Sequence, residues 1–317
     1  MTRRRRTYAW LVGVALIVTV VLVATNLSEG RAFLVLARNA EPAWLALGVL
    51  FQAGTYAADA RSWQRVLHRA GESRPIGGFV ALGLAKLFVD QAIPSGGISG
   101  TLLMVRGLER RGVPRATCMA AVVIDLYAYY AAYLTALLVA SVILGTRHEL
   151  SAPILITTAA FSAVALAVIA LLTALTTRLR RLLPPVILRF RLTAPLVSAV
   201  AEADARLVRR ADLLATSFAY QLLIFTLDTA TLWAMLRGVG VSVHPAPVFA
   251  SLMISSLART LGILPGGVGT FEAASVATLR LVGVPLAAAL TATMLFRGLS
   301  FWVPLAPAMW IARRESR

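Results

Sequence analysis

The sequence predicts an all-α polytopic membrane protein, with about six full spans and two re-entrant or broken-helix hairpins that form an inverted repeat. Hydrophobic residues make up 59% of the 317 residues, and charged residues make up 14%. Soluble domains contain about 45–50% apolar and about 25% charged residues. Apolar runs fill most of the chain, and two of them are interrupted by a similar Pro-Gly pattern. The apolar surplus is therefore expected to face lipid.

Six apolar runs have the length that a membrane span requires, which is about 20 residues. The first follows Arg3 to Arg6 and is not followed by a small-residue cleavage site, so we interpret it as an uncleaved span and not as a signal peptide. The predicted spans are about 9–26, 42–58, 116–144, 151–175, 213–236 and 285–312.

The basic residues predict the orientation. We place the N-terminus in the cytoplasm and let each interrupted stretch return to the membrane face from which it entered. In this arrangement 23 of the 31 Lys and Arg are cytoplasmic and five are outside. Lys86, Arg259 and Arg297 remain at membrane depth. This bias follows the positive-inside rule and accounts for the net charge of +17 without a nucleic-acid partner. We expect a multi-pass protein of a bacterial-type cytoplasmic (inner) membrane, with both termini inside.

The two interrupted stretches, about 76–105 and 247–282, resemble each other. An offset of 171 aligns Pro94 with Pro265, and Gly112-Val-Pro with Gly283-Val-Pro. Three predicted spans separate the copies, so the copies are expected to insert from opposite faces, as in many transporters. The expected organisation is a single membrane domain, 1–317. It comprises an N-terminal span and outer loop (1–41), a first repeat (42–144), a linking span with a cytoplasmic amphipathic segment (145–212) and a second repeat (213–317).

The Pro-Gly turns are candidate substrate-binding elements. Non-helical backbone at membrane depth is tolerated only where protein or water satisfies its polar groups. The half-helix that follows such a turn presents free N–H groups and a positive dipole end, which favour an anion such as a lipid phosphate. The alternative is that the small residues only allow tight helix packing. The residues concerned are Pro94, Gly96 and Gly97 in the first copy, and Pro265, Gly266, Gly267 and Gly269 in the second.

Ionisable residues at depth are further candidates, because burying such a charge costs at least about 2.5–3.5 kcal/mol. With the turns, three cations would form a basic vestibule for a lipid phosphate: Lys86, Arg259 and Arg297. Glu272 would pair with a cationic headgroup or with one of the two arginines, or would only cap its helix. Asp90, Asp125 and Asp228 are candidates for coupling transport to an ion or for gating. Alternatively, their roles are structural: Asp90 would pair with Lys86, and Asp125 and Asp228 would form interior hydrogen bonds or packing contacts.

The Pro265-Gly-Gly-Val-Gly-Thr-Phe-Glu272 motif, the earlier Pro94-Ser-Gly-Gly and Arg297 resemble the lysylphosphatidylglycerol synthase transmembrane-domain family, over about residues 43–312. The resemblance implies a lipid-flippase fold whose members move or handle anionic or polyprenyl-linked lipids. In the best-known members a cytoplasmic aminoacyl-transferase domain follows. This chain stops at Arg317, so the resemblance favours lipid translocation over lipid aminoacylation. In the first copy, Thr101 stands where Glu272 stands in the second.

The predicted function is therefore flippase-like transport of an anionic or polyprenyl-linked (glyco)lipid, without a catalytic residue, metal or cofactor. The alternatives are a small-solute secondary transporter, or a non-transporting subunit that works with cell-envelope synthesis enzymes. An intramembrane serine protease would use Gly97-Ile-Ser-Gly100 but needs a His at membrane depth. A membrane glycosyltransferase or lipid synthase would need an acidic metal site or a donor domain.

Overall fold

The computed structural model describes residues 35–92, 98–147, 149, 151–177, 194–261, 265–304, 307 and 311. Within these ranges every regular element is helical, which agrees with the predicted all-α class. The predicted span 9–26 and the first-turn residues Pro94, Gly96 and Gly97 lie outside the described residues. The helices are α1 (Pro42–Arg69), α2 (Ile76–Ala92), α3 (Ile98–Glu109), α4 (Arg115–Gly145), α5 (Ala152–Thr176), α6 (Ala194–Glu202), α7 (Ala205–Val208), α8 (Ala211–Gly238), α9 (Pro245–Leu261), α10 (Thr270–Leu281) and α11 (Leu286–Arg297).

Three of the described helices are long and apolar enough to cross a membrane: α4, α5 and α8. They coincide with the predicted spans 116–144, 151–175 and 213–236. The predicted span 42–58 lies within α1, and the span 285–312 begins with a shorter apolar helical stretch, Leu286–Trp302. Large apolar side chains stand exposed on α4 and α5, where lipid would cover them: Leu138, Val139, Val142, Leu155, Ile156, Val164 and Leu166. The protein is thus an integral membrane protein.

The helices α1 and α8 pack against each other in antiparallel orientation. Both are 28 residues long. The contacts run in opposite directions along the two chains, because Gly48 meets Met235 while Gln52 meets Asp228. Small residues allow this close approach: a Cβ added at Gly48 would lie 2.4 Å from the Met235 methyl carbon.

Each interrupted stretch forms a pair of packed helices. We call α2 with α3 the first hairpin, and α9 with α10 the second hairpin. In both hairpins the first arm has 17 residues and the second arm has 12. At a rise of 1.5 Å per residue these arms measure about 25 and 18 Å. Both lengths are shorter than the hydrocarbon core of about 30 Å, so one arm alone is too short to cross it.

The second arm of each hairpin ends in the same way. In the first hairpin, the Val113 N–H donates to the Leu108 carbonyl, and Gly112 has a φ of 82°. In the second hairpin, the Val284 N–H donates to the Leu279 carbonyl, and Gly283 has a φ of 87°. This is the Schellman arrangement, which favours Gly at the left-handed position. Pro114 and Pro285 then begin the next helix in each case. The helix order of 28, 17 and 12 residues therefore occurs twice.

Candidate functional site

The turn of the second hairpin is held by a buried ion pair. Arg297 Nε donates to Glu272 Oε1 at 2.7 Å, and its side chain is 4% exposed against 12% for Glu272. A second guanidinium nitrogen donates to the Gly266 carbonyl at 3.1 Å. The guanidinium also lies over the ring of Phe301, 4.1 Å from its centroid, and over Phe271 at 5.2 Å. Arg297 therefore fastens the last helix to the Pro-Gly turn.

A π-helical turn, Gly298–Trp302, directly follows Arg297 and brings Phe301 against the hairpin. A Cβ added at Gly266 would lie 2.3 Å from the Phe301 ring. A Cβ added at Gly267 would lie 2.2 Å from Arg259 Cγ and 3.0 Å from its Cα. Both glycines have positive φ, 67° and 61°. The turn therefore requires Gly for backbone conformation and for space.

Both half-helix N-termini hold a carboxylate of the chain itself. Glu272 Oε2 accepts from the Gly269 N–H at 2.6 Å, at the start of α10. Asp90 Oδ1 accepts from the Gly100 N–H at 2.8 Å, in the first turn of α3. Carboxylates at these positions are stabilised by the free N–H groups and by the helix dipole. The positions at which the sequence suggests a lipid phosphate are thus occupied by protein groups in this conformation.

Arg259 differs from the other cations of the site because its side chain is exposed. It lies in the last turn of α9, against the turn at Gly267. Asp228 and Arg297 are within electrostatic range. Among the described residues it has no direct ion pair or hydrogen bond. It is therefore a cation at a hairpin tip that is available to an anionic group.

Lys86, on the first hairpin, lies among acidic residues. Its ammonium interacts electrostatically with Asp125, Asp59 and Asp90. Asp125 Oδ1 accepts from the Gln221 amide at 3.1 Å. Asp59 packs against α2 at Gly83, where an added Cβ would lie 3.2 Å from its Oδ2. We call Asp59, Lys86 and Asp125 the interior charged cluster.

Sequence reasoning missed Asp59, because it lies one residue beyond the predicted span 42–58. A signal for it exists in the sequence. Gln52 and Asp59 on α1 recur as Gln221 and Asp228 on α8, both pairs 169 positions apart, which is also the separation of the two helix starts. In the structure, the Gln52 amide donates to Asp228 Oδ1 at 3.3 Å. Asp228 therefore belongs to a polar contact between the two long antiparallel helices.

Tyrosines of α4 line the space between these charges. Tyr129 stacks on Tyr133, with ring centroids 5.7 Å apart, and the Tyr133 hydroxyl donates to the Met253 carbonyl at 3.0 Å. Tyr129 interacts electrostatically with both Arg259 and Lys86. The cations of the two hairpins thus approach the same aromatic face of α4.

Three helices long and apolar enough to cross a membrane, combined with two hairpins of shorter helices that carry charged residues, define a polytopic membrane protein with an interior polar site. The family described as the lysylphosphatidylglycerol synthase TM region matches residues 10–308, and the chain belongs to this family. The family is a membrane domain, and membership links the chain to lipid-related membrane function. A UPF0104 membrane protein of Pyrococcus horikoshii is 29% identical over 103 residues, 32% of this chain. The matched region spans 31% of that relative's length.

Proposed function

We propose that the protein is a flippase-like transporter that moves an anionic or polyprenyl-linked lipid across the cytoplasmic membrane. The headgroup passes between the two hairpins while the hydrocarbon tails remain in the bilayer. The observation that carries this proposal is Arg259, an exposed cation at the tip of the second hairpin that has no direct ion pair or hydrogen bond among the described residues. Family membership supports a lipid as the transported molecule.

The proposed architecture is an inverted repeat, with residues 42–144 and 213–317 as its halves and both termini in the cytoplasm. Two observations support it. The 28-17-12 order of helix lengths occurs in both halves. The equivalent helices α1 and α8 run antiparallel, which is the relation that an in-membrane pseudo-twofold axis generates. In this arrangement, one hairpin enters from each face of the membrane, and the remaining predicted spans complete the six.

The charged residues take separate roles in this proposal. Arg259 contacts the lipid phosphate directly. Arg297 and Glu272 keep the second turn in its glycine-dependent conformation, so their contribution to binding is indirect. Lys86 contributes positive potential, although three nearby carboxylates offset it. Asp228 interacts with Arg259 and with Gln52, so it is suited to hold Arg259 when no lipid is bound.

The test is a lipid-translocation assay with purified full-length protein in liposomes that contain a fluorescent anionic phospholipid or a polyprenyl phosphate. Arg259→Ala is compared with Arg280→Ala, which removes an exposed arginine from the far end of the same hairpin. A lost charge-assisted hydrogen bond is worth about 1.5–3 kcal/mol. We therefore expect translocation to fall roughly 10- to 100-fold in Arg259→Ala and to remain near wild type in Arg280→Ala.

Equal rates in the wild type and in Arg259→Ala, with either lipid, would contradict the role of Arg259. No protein-dependent movement of either lipid would contradict the proposed function itself. The result would then favour the small-solute transporter or the non-transporting subunit of an envelope-synthesis system.

A further inference from the structure

The contact between α1 and α8 contains a buried acceptor that receives no donor. The Gln52 side-chain nitrogen donates to the Thr55 hydroxyl at 3.0 Å and to Asp228 Oδ1 at 3.3 Å. The oxygen of the same amide, Oε1, is buried and has no hydrogen-bond partner among the described residues, and Gln52 is 6% exposed. Turning the amide over does not remove the problem, because its oxygen would then lie against Asp228 Oδ1, which is another acceptor. A positively charged group is therefore missing beside Gln52.

The other polar atoms around this amide are also oxygens. The Thr55 hydroxyl donates to the Gln52 backbone carbonyl at 2.7 Å. The Tyr56 hydroxyl donates to the Ser300 carbonyl at 3.5 Å, in the π-helical turn that follows α11. Three segments thus bring a carboxylate, an amide oxygen, two hydroxyls and a backbone carbonyl into one region. Hard metal cations prefer oxygen ligands of this kind, and transporters use such groups to coordinate Na⁺.

The negative charge of Asp228 lacks a direct counter-charge. Its one hydrogen bond among the described residues comes from the neutral Gln52 amide, and it makes no direct ion pair there. Arg259 interacts with it electrostatically but forms no bond to it. A carboxylate at membrane depth is costly unless a cation accompanies it. The unpaired carboxylate and the unpartnered amide oxygen therefore require the same thing, a positive charge between α1 and α8.

The proposed inverted repeat shows which charge the second half lacks. Asp59 and Asp228 are equivalent residues of α1 and α8. Lys86 on α2 and Ser255 on α9 are likewise equivalent, because both lie 169 positions apart, as do the starts of their helices. The first half therefore supplies its own ammonium, which interacts with Asp59. The second half has a neutral hydroxyl at the equivalent position, so a cation for Asp228 has to come from solution.

We propose that Asp228 and Gln52 bind a monovalent metal cation, Na⁺, between α1 and α8. The Asp228 carboxylate supplies the negative charge, Gln52 Oε1 supplies a neutral oxygen, and the Thr55 and Tyr56 hydroxyls are adjacent. One carboxylate with neutral oxygens balances a single positive charge. Within the described part of the chain, no three acidic, His or Cys side chains converge to hold a metal ion of higher charge.

The same site links Na⁺ to the lipid. Na⁺ and the Arg259 guanidinium compete for the charge of Asp228, so bound Na⁺ leaves Arg259 free for a lipid phosphate. This coupling rests on the proposed transport function. The cation site itself does not depend on which molecule is transported, or on whether any lipid moves.

Equilibrium binding of radioactive Na⁺ to purified full-length protein tests the site, with N-methyl-D-glucamine chloride keeping the ionic strength constant. We expect saturable binding in the wild type and roughly 10- to 100-fold weaker binding in Asp228→Asn. Gln52→Leu should weaken binding, whereas Gln52→Glu, which keeps an oxygen at this position, should retain it. Arg259→Ala should strengthen binding, because it removes the competing cation.

Asp212→Asn is the matched control for the carboxylate. Asp212 is on the same helix as Asp228, but its carboxylate is exposed and pairs with Arg210. Na⁺ binding should therefore stay at the wild-type level in this variant. Helical circular dichroism and gel filtration of each variant show that a loss of binding does not come from unfolding, and the retained binding in Gln52→Glu checks the role of the amide oxygen independently.

Absence of saturable Na⁺ binding, or equal affinity in the wild type and in Asp228→Asn, would overturn the proposal. Displacement by Ca²⁺ at lower concentrations than by unlabelled Na⁺ would overturn it too, because the site would then prefer a divalent ion. In liposomes, an imposed Na⁺ gradient should change the lipid-translocation rate several-fold in the wild type but not in Asp228→Asn, and a rate that is independent of the gradient would refute the coupling. If Na⁺ binds as expected and no lipid moves at all, the cation site stands and the proposed transport function fails.

Discussion

The Arg297–Glu272 pair provides the sharpest test of how the second turn is held. Arg297→Met removes the charge and keeps most of the side-chain volume, which leaves the Glu272 carboxylate buried and unpaired. Glu272→Gln removes the opposite charge but keeps an acceptor for the Gly269 N–H. Breaking a buried pair by removing one partner costs about 3–5 kcal/mol, and both partners here are largely buried.

The double variant separates the interaction from the individual losses. With both charges removed, no unpaired charge remains in the apolar interior. We therefore expect the double variant to be less destabilised than the sum of the two single variants, by roughly 2 kcal/mol or more. The measurement is the free energy of unfolding in mixed micelles titrated with a denaturing detergent, followed by loss of helical circular dichroism. Additive single-variant effects would refute the reasoning, since they would mean that the two side chains do not interact in the folded protein.

Two further predictions concern the hairpins. Gly267→Ala should destabilise the protein by about 1–3 kcal/mol in the same unfolding titration, because the new methyl group overlaps the Arg259 side chain and crowds its Cα. Gly77→Ala, on an uncrowded helix face, should be neutral or stabilising. In a Cys118→Ala background, an impermeant maleimide added outside intact spheroplasts should label Arg280→Cys but not Arg110→Cys, since the proposed inverted repeat places these two hairpin ends on opposite faces of the membrane. Labelling of both, or of neither, would contradict the proposed opposed insertion.

Local sequence patterns predicted the elements that depend on nearby residues. The apolar runs predicted the three helices α4, α5 and α8. The Pro-Gly interruptions predicted that the stretches 76–105 and 247–282 break into shorter helices. Glu272 and Arg297 were both singled out, and their pairing was one of the stated alternatives, because a charge at membrane depth requires a partner.

Local sequence patterns could not predict the contacts between residues that are distant in the chain. The Asp90 contact to the Gly100 N–H depends on the packing of the two arms of the first hairpin, and the helical spacing of Asp90 and Lys86 suggested a different partner. Asp59 was missed because hydropathy ends the predicted span one residue too early, while the helix itself continues to Arg69. The π-helical turn that brings Phe301 onto Gly266 has no signal in a pattern of period 3.6.

The antiparallel contact between two helices of equal length also bears on the origin of the fold. A half-length ancestor with this helix plan would have formed the same contact as a homodimer of oppositely inserted copies. In the proposed inverted repeat, fusion of two such copies would have freed them to diverge, and equivalent positions of α2 and α9 hold Asp90 and Arg259. In the proposed transport function, a change between two leaflet-facing forms would therefore place the headgroup in unlike surroundings. For the proposed flippase, the two forms would then differ in free energy, and loading from the two leaflets would be unequal.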